Sequence, residues 1–255
     1  MIQALQRSNP TLAAEGYAIL DRVEGVRNRK RLDPSRPCIT LSYAQSLDGC
    51  IAADDGLPTV ISNHQTMVLT HHLRAMHDAL LVGVNTVIVD DPQLTVRLAP
   101  GDNPTPVIVD SSLRMPLDAQ LLGQDSRPLV ATVEGSKASR RGALEAKGVD
   151  VVSVAANPEG GIDLADLFAT LRARGIRSVF VEGGAKIITS ILAADLADQL
   201  VLTIAPQFLG GVRSVEPLFG RGPNRRPTLT DIVCETIGDD LVVQGELLRS
   251  DNGPG

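Results

Sequence analysis

The stretch "SVFVEGGAKIITSILAADL", residues 178–196, decides the fold class. Its first part is rich in β-branched and aromatic residues and ends at Glu182; two glycines follow, and Ala185 to Ala194 then carries helical spacing. A strand, a Gly-Gly turn and a helix in immediate succession form one βα unit. Reading outward, "CITLSYA" (38–44), "ALLVG" (79–83), "PVIVD" (106–110), "PLVATV" (128–133) and "DVVSV" (150–154) are further strand-like runs. Between them, "NHQTMVLTHHLRAMH" (63–77), "KASRRGALEAKG" (137–148) and "LADLFATLRARG" (164–175) carry helical spacing, the last two closing on Gly148 and Gly175. Such alternation predicts an α/β fold, a mainly parallel central sheet flanked by helices on both faces. The end of the chain differs. "QLVLTIAPQFL" (199–209) and "TLTDIVCETIGDDLVVQGELL" (228–248) read as antiparallel strands, the last two joined in a C-terminal hairpin around Gly238-Asp239.

Residues 1–36 stand apart as an N-terminal extension: "NPTLAAEGYAILDRV" (9–23) forms an amphipathic helix and "RNRKRLDPSRP" (27–37) a charged, Pro-punctuated connector. The main domain is expected over 37–249, and the tail 250–255 is of low complexity. Hydrophobic residues are 43% of the 255, ample for a core, whereas aromatics are 2% and the net charge is −6. Neither the stacking platforms nor the positive field of a nucleic-acid binder is present. Cys38, Cys50 and Cys234 are sparse and odd in number, which fits a reducing compartment and argues against a disulfide framework. With no secretory leader pattern and no apolar run near the roughly 20 residues of a membrane span, a cytoplasmic protein is expected.

Several stretches could carry chemistry. The turn Glu182-Gly183-Gly184 puts unpaired N–H groups and a positive helix end beside small residues, a place for a phosphate; a tight turn that merely needs glycine is the plainer reading. Ser62 and Gln65 match a capping box, after which Leu69, Leu73 and Met76 form a buried stripe with Arg74 at its edge. Arg97 follows the turn "DDPQL". The two arginines could clamp a phosphate, or could sit on the surface paired with Asp78, Asp90 or Asp91. Gly83, Thr86 and Asp90 follow a strand end, where α/β sheets place ligands. His64, His71, His72 and His77 form no HExxH, and HxE with PCxxC is missing, so no metal site is expected. Cys50 in "SLDGCIA" has neither a nucleophile elbow nor a neighbouring His, and reads as a partly buried bystander rather than a nucleophile.

"SYAQSLDGCIA", "LRAMHDALLVGVNTVIVDDPQLTVR", "PVIVDSSLRMPLDAQLL", "VFVEGGAKIITSIL" and "LVLTIAPQFLGG" occur in the order and spacing of the pyrimidine reductases of riboflavin biosynthesis. The resemblance covers Cys38 to Leu248 and rests most on "DDPxLTxR" with "EGG". It implies a dihydrofolate-reductase-like fold, NADPH as cofactor, a homodimer with "QLVLTIAPQFLGG" as its apolar interface, and a ribosylamino-pyrimidine 5′-phosphate substrate. The sugar opens to an imine and is reduced to the ribityl product, on either the diaminopyrimidinone or the aminouracil form. By the same resemblance Ala44, Thr86, Asp90 and Ser111 meet the cofactor, and Gly184 to Ser190 cradles its pyrophosphate, so that Gly183, Gly184, Ala185, Lys186 and Ile187 belong to the cofactor site. Ser62, Arg74, Leu94, Arg97 and Glu182 fall to the substrate, with Asp48 and Glu182 as candidate proton donors. Where family members often carry Lys or Arg, Ser, Trp, and Gly or Thr, this chain has Cys50, Pro58, Val60 and Lys186. The cofactor end therefore carries over more fully than the pyrimidine end. A reductase of the same fold acting on a pterin, or a nucleotide-binding protein without turnover, are the alternatives.

Overall fold

Runs of β-branched and aliphatic residues too short for a helix become strands as soon as both faces can be covered. The computed structural model describes residues 12–30, 32–53, 59–125, 127–217 and 226–248. Pro58, Arg31, Arg225, Phe219 and the tail 250–255 lie outside that set. The strands are β1 (Cys38–Ser46), β2 (Cys50–Ala52), β3 (Ala79–Gly83), β4 (Thr105–Val109), β5 (Leu129–Val133), β6 (Asp150–Val154), β7 (Ser178–Val181), β8 (Gln199–Ala205), β9 (Val212–Arg213), β10 (Thr228–Ile237) and β11 (Asp240–Leu248). The helices are α1 (Ala14–Lys30), α2 (His64–Ala75), α3 (Val84–Asp90), α4 (Ala138–Glu145), α5 (Leu164–Ala173) and α6 (Ala185–Ala193). Nine strands make one sheet in the order β10-β11-β8-β1-β7-β3-β4-β5-β6, and β2 with β9 makes a separate ribbon.

The expected α/β architecture with its C-terminal hairpin is borne out. One pairing differs: β8 lies parallel to β1 (Thr40↔Gln199 to Ser46↔Ala205) and is antiparallel only to β11. Both edges of β8 are thus occupied, and the apolarity of "QLVLTIA" fits a strand inside the sheet.

Alternation along each strand sends side chains to two cores. Leu80, Val82, Ile108, Val130, Phe180, Val201 and Val242 pack under Leu20, Val23, Leu69, Leu73, Val87 and Leu144 of α1 to α4. Ile39, Leu41, Leu81, Val107, Val179 and Val181 pack against Leu167, Phe168, Leu171, Ile188 and Ile191 of α5 and α6. Helix α1 therefore shares the first core rather than standing apart. It also runs through Arg27, Arg29 and Lys30, whose charges suit a helix C-terminus, so this part of the expected connector is helical.

Helix α2 is capped by Asn63, not Ser62. The Asn63 side chain accepts from the N–H groups of Gln65 (2.8 Å) and Thr66 (3.1 Å) and donates to the Ile237 carbonyl (2.7 Å). The Asn63 N–H and the Thr66 hydroxyl donate to Asp240. The hairpin turn, with Gly238 at φ 63°, thereby fixes where α2 begins. Helix α5 ends as the sequence predicts, with Gly175 at φ 89° and the Ile176 N–H on the Leu171 carbonyl (3.1 Å).

Strands β3 and β7 are neighbours, yet the chain leaves β3 towards β4 and leaves β7, through α6, towards β8 on the far side of β1. Diverging connections open a crevice at the C-terminal ends of the two strands, the position where sheets of this kind hold ligands.

Candidate active site

At that crevice the Glu182 N–H donates to the Leu81 carbonyl (3.0 Å), so the residue after β7 is still held by β3. Gly183 follows because nothing larger fits: a Cβ there would stand 2.7 Å from Cγ2 of Ile187. A Cβ on Gly83, at the end of β3, would stand 3.3 Å from Cγ1 of the same side chain. Helix α6 is consequently drawn down onto both strand ends. Its N-cap, Gly184, offers no side-chain capping bond, which leaves the first-turn N–H groups unclaimed by a side chain beside a positive dipole end. Ala44 near the end of β1, Thr86 in α3, Ser111 after β4, and the Gly183-Gly184 turn with the start of α6 after β7 all stand on the C-terminal edge of the sheet. Asp90 is the exposed last residue of α3. The Ser111 loop is set from below by Asp110, buried at 1% exposure, which accepts from the Met115 N–H (2.8 Å).

The two arginines prove unequal. Arg74 donates through Nε and Nη2 to the two oxygens of Glu182 (2.6 and 2.7 Å) and through Nη1 to the Thr95 carbonyl (3.0 Å). This is a bidentate, largely buried pair, the side chains being 13% and 21% exposed. Arg97 projects outward and, among the described residues, spends only Nη1, on the Thr95 hydroxyl (2.7 Å). Among the described residues no carboxylate pairs with it. Burial first, and then the neighbouring Arg74 charge, push the Arg97 pKa down, with the Glu182 charge partly opposing them. The surface pairing with Asp78, Asp90 or Asp91 does not occur. Asp78 instead accepts the N–H groups of Arg177 and Ser178, and Asp91 accepts that of Gln120.

The segment carrying Arg97 belongs to no strand. Leu94, at 2% exposure, takes a left-handed φ of 54°, plugging its side chain inward. The Val96 N–H goes to Asn103 Oδ1 (2.7 Å) and the Arg97 N–H to Nδ1 of His71 (2.9 Å). Thr95, His71 and Asn103 were not among the sequence candidates. The one available signal was spacing, since His71 lies one helical turn before Arg74 and Thr95 two residues before Arg97. Ser62 lies at the opposite end of α2 from Arg74, roughly 18 Å away by helix rise, and the structure does not bring it into this cluster.

Asp48 stands in the β1–β2 turn, held by three donors. It accepts from the Ser46 hydroxyl (2.5 Å) and from the N–H groups of Leu209 (3.1 Å) and Gly210 (2.7 Å). These donors hold its carboxyl well below the usual carboxylate range. It clamps the loop after β8 to the β1–β2 turn. Cys50, 3% exposed, points its thiol at Asp48 (3.6 Å) and the Gly211 carbonyl (3.4 Å) and lines no nucleophile–base pair.

Residues 37–243 match the RibD C-terminal domain model. The chain belongs to the RibD C-terminal domain family. It is 36% identical over 211 residues to the riboflavin biosynthesis protein RibD of Aquifex aeolicus, covering 82% of this chain but 57% of that longer protein. It is 35% identical over 215 residues to the 2,5-diamino-6-ribosylamino-4(3H)-pyrimidinone 5′-phosphate reductase of Methanothermobacter thermautotrophicus, 82% of this chain and 97% of that one. Among solved structures, the riboflavin biosynthesis reductase Rib7 of Saccharomyces cerevisiae superimposes with a TM-score of 0.66 at 28% identity, over 84% of this chain and 90% of that one. Acinetobacter baumannii RibD superimposes at 0.71 and 27% identity, over 84% and 59%. The resemblance carried by the motifs is borne out, and with it the expectation of an oxidoreductase. The RibD C-terminal domain match starts at residue 37, so α1 lies outside it.

Proposed function

We propose that this chain is an NADPH-dependent reductase that converts a 6-ribosylamino-pyrimidine 5′-phosphate into its ribityl counterpart, with the 2,5-diaminopyrimidinone form as substrate. The observation that carries the reading is Arg97. It is a guanidinium with four donors left over and no carboxylate partner among the described residues, beside a Gly-Gly–helix cradle at a switch point. The diaminopyrimidinone form is favoured because the relative of that name matches along nearly its whole length.

The residues present fit a nicotinamide dinucleotide. Gly183 and Gly184 leave room for backbone to approach a pyrophosphate at the uncapped start of α6, where Ala185, Lys186, Ile187 and the following residues to Ser190 would hold it. Ser111 would take the adenosine ribose phosphate, and Ala44, Thr86 and Asp90 would line the rest of the cofactor. When bound, NADPH supplies the hydride. Arg97 anchors the sugar phosphate and Leu94 closes the floor beside it. The Arg74–Glu182 pair lines the substrate side as a fixed wall, orienting rather than donating, since both Glu182 oxygens accept from Arg74. With Asp48 equally occupied, the proton for the ring-opened sugar nitrogen comes from water. A homodimer is proposed as well, through the exposed Phe208 and Val212 beside the β2–β9 ribbon, since β8 is internal. Cytoplasmic residence is proposed from the three free cysteines; among the described residues no helix is long and apolar enough to cross a membrane.

The test is NADPH oxidation with the diaminopyrimidinone and the aminouracil phosphates in turn. Turnover on the first supports the reading in full, and turnover on the second alone moves the chain to the deaminated substrate. NADPH binding without turnover on either removes the proposal and favours a pterin or a binding role.

A further inference from the structure

We infer that His71 and Thr95 are positioning residues for the anion-binding arm: the His71 ring fixes the backbone from which Arg97 projects, and Thr95 sets the spacing of both guanidinium groups. The inference rests on the reading of Arg97 as the phosphate anchor.

Residues 94–97 have no strand partner, so their backbone donors must be met by side chains or water. His71, 3% exposed, meets the Arg97 N–H through Nδ1 at 2.9 Å, which places the proton of the neutral ring on Nε2. Thr95, 4% exposed, stands between the arginines. Its hydroxyl accepts from Arg97 (2.7 Å) and its carbonyl from Arg74 (3.0 Å). One buried threonine thus ties the guanidinium already spent on Glu182 to the one left for a ligand. Protonating His71 would turn the Nδ1 acceptor into a donor facing the Arg97 N–H and put a third positive charge beside Arg74 and Arg97. Burial first, and then those two arginines, push its pKa down to about 4, so the acceptor form persists at neutral pH.

The experiment compares His71→Leu, which removes the acceptor, with His71→Asn, whose Oδ1 can replace Nδ1. Substrate KM, NADPH Kd and thermal midpoint are measured together. His71→Leu is expected to raise KM about tenfold, the worth of one hydrogen bond, with NADPH Kd unchanged. His71→Asn is expected to recover most of the loss even where both variants melt at the same lower temperature. Thr95→Val and Thr95→Ser form a second pair with the same expected contrast, and carry the test where His71→Leu does not fold. Equal KM in the acceptor-lacking and acceptor-keeping variants, or KM and NADPH Kd rising together, overturns the inference. Calorimetric binding of ribose 5-phosphate to the same variants separates it from the proposed reaction. If wild type binds this probe without turning over either pyrimidine, the reaction fails while the Leu–Asn contrast still decides the positioning role. Failure of wild type to bind the probe overturns the anchor and the inference together.

Discussion

Replacing Arg97 with Ala is the perturbation that separates the two arginines. Arg97 has five N–H donors, of which one is used among the described residues, on Thr95. Two of the remaining four can meet a phosphate side by side. A charge-assisted bond is worth about 1.5–3 kcal/mol, but Arg97 is exposed and water competes for it. About 2–3 kcal/mol in total is a reasonable expectation, or roughly a 30- to 150-fold rise in substrate KM. NADPH Kd should stay within about twofold, because α6 and its Gly-Gly cradle are untouched. Arg97→Lys should fall between, keeping the charge and losing the fork. The assay is initial-rate NADPH oxidation over a substrate series, with NADPH binding followed separately by cofactor fluorescence. An unchanged KM for Arg97→Ala refutes the anchor, and a parallel loss of NADPH affinity shows that the side chain serves the cofactor.

The Arg74–Glu182 pair should show strong coupling in a double-mutant cycle. With side chains 13% and 21% exposed, Arg74→Met or Glu182→Gln alone should cost about 2–3 kcal/mol in chemical denaturation followed by circular dichroism, with about 2 kcal/mol of coupling; coupling near zero would mean that water screens the pair. Acid should destabilise the fold through its buried histidines. Burial pushes His77 down to about 4, and burial together with Arg74 and Arg97 pushes His71 to about 4, whereas both titrate near 6.5 when unfolded. Between those values the unfolded chain binds more protons, so stability is complete above about pH 6.5 and falls as pH approaches 4, with a slope nearing about 3 kcal/mol per pH unit. Equal unfolding free energies at pH 5 and pH 7 would contradict this. Gly183→Ala should force Ile187 aside, since the new Cβ would stand 2.7 Å from its Cγ2. Overpacking of about 1–3 kcal/mol and a weaker NADPH Kd are expected; an unaltered melting curve would show that the turn is looser than its geometry.

Much of the fold was legible because periodicity is local. The glycines closing α4 and α5, the strand before Glu182 and the helix after Gly184 each follow from a dozen residues read alone. The misreadings share a cause in remote partners. Ser62 with Gln65 looked like a cap, but Asn63 wins because Asp240 and Ile237, on the hairpin at the other end of the chain, also bind it. The run ending at Lys30 looked like a connector until α1 found a sheet face to cover. The donors that meet Asp48 at residues 209 and 210 were likewise invisible in sequence, lying 161 and 162 positions further along the chain.

By itself the sequence determined the α/β class and the family, because motif residues and strand–helix alternation are written in consecutive positions. Only the tertiary structure decided which arginine is free. Glu182 lies 108 residues beyond Arg74 in the chain, and the parallel pairing of β3 with β7 is what brings the strand end bearing Glu182 within reach of the helix bearing Arg74. Hydrogen-bond donors are finite, so the guanidinium spent on that carboxylate has little left to give, and Arg97 is the one proposed to meet the anion.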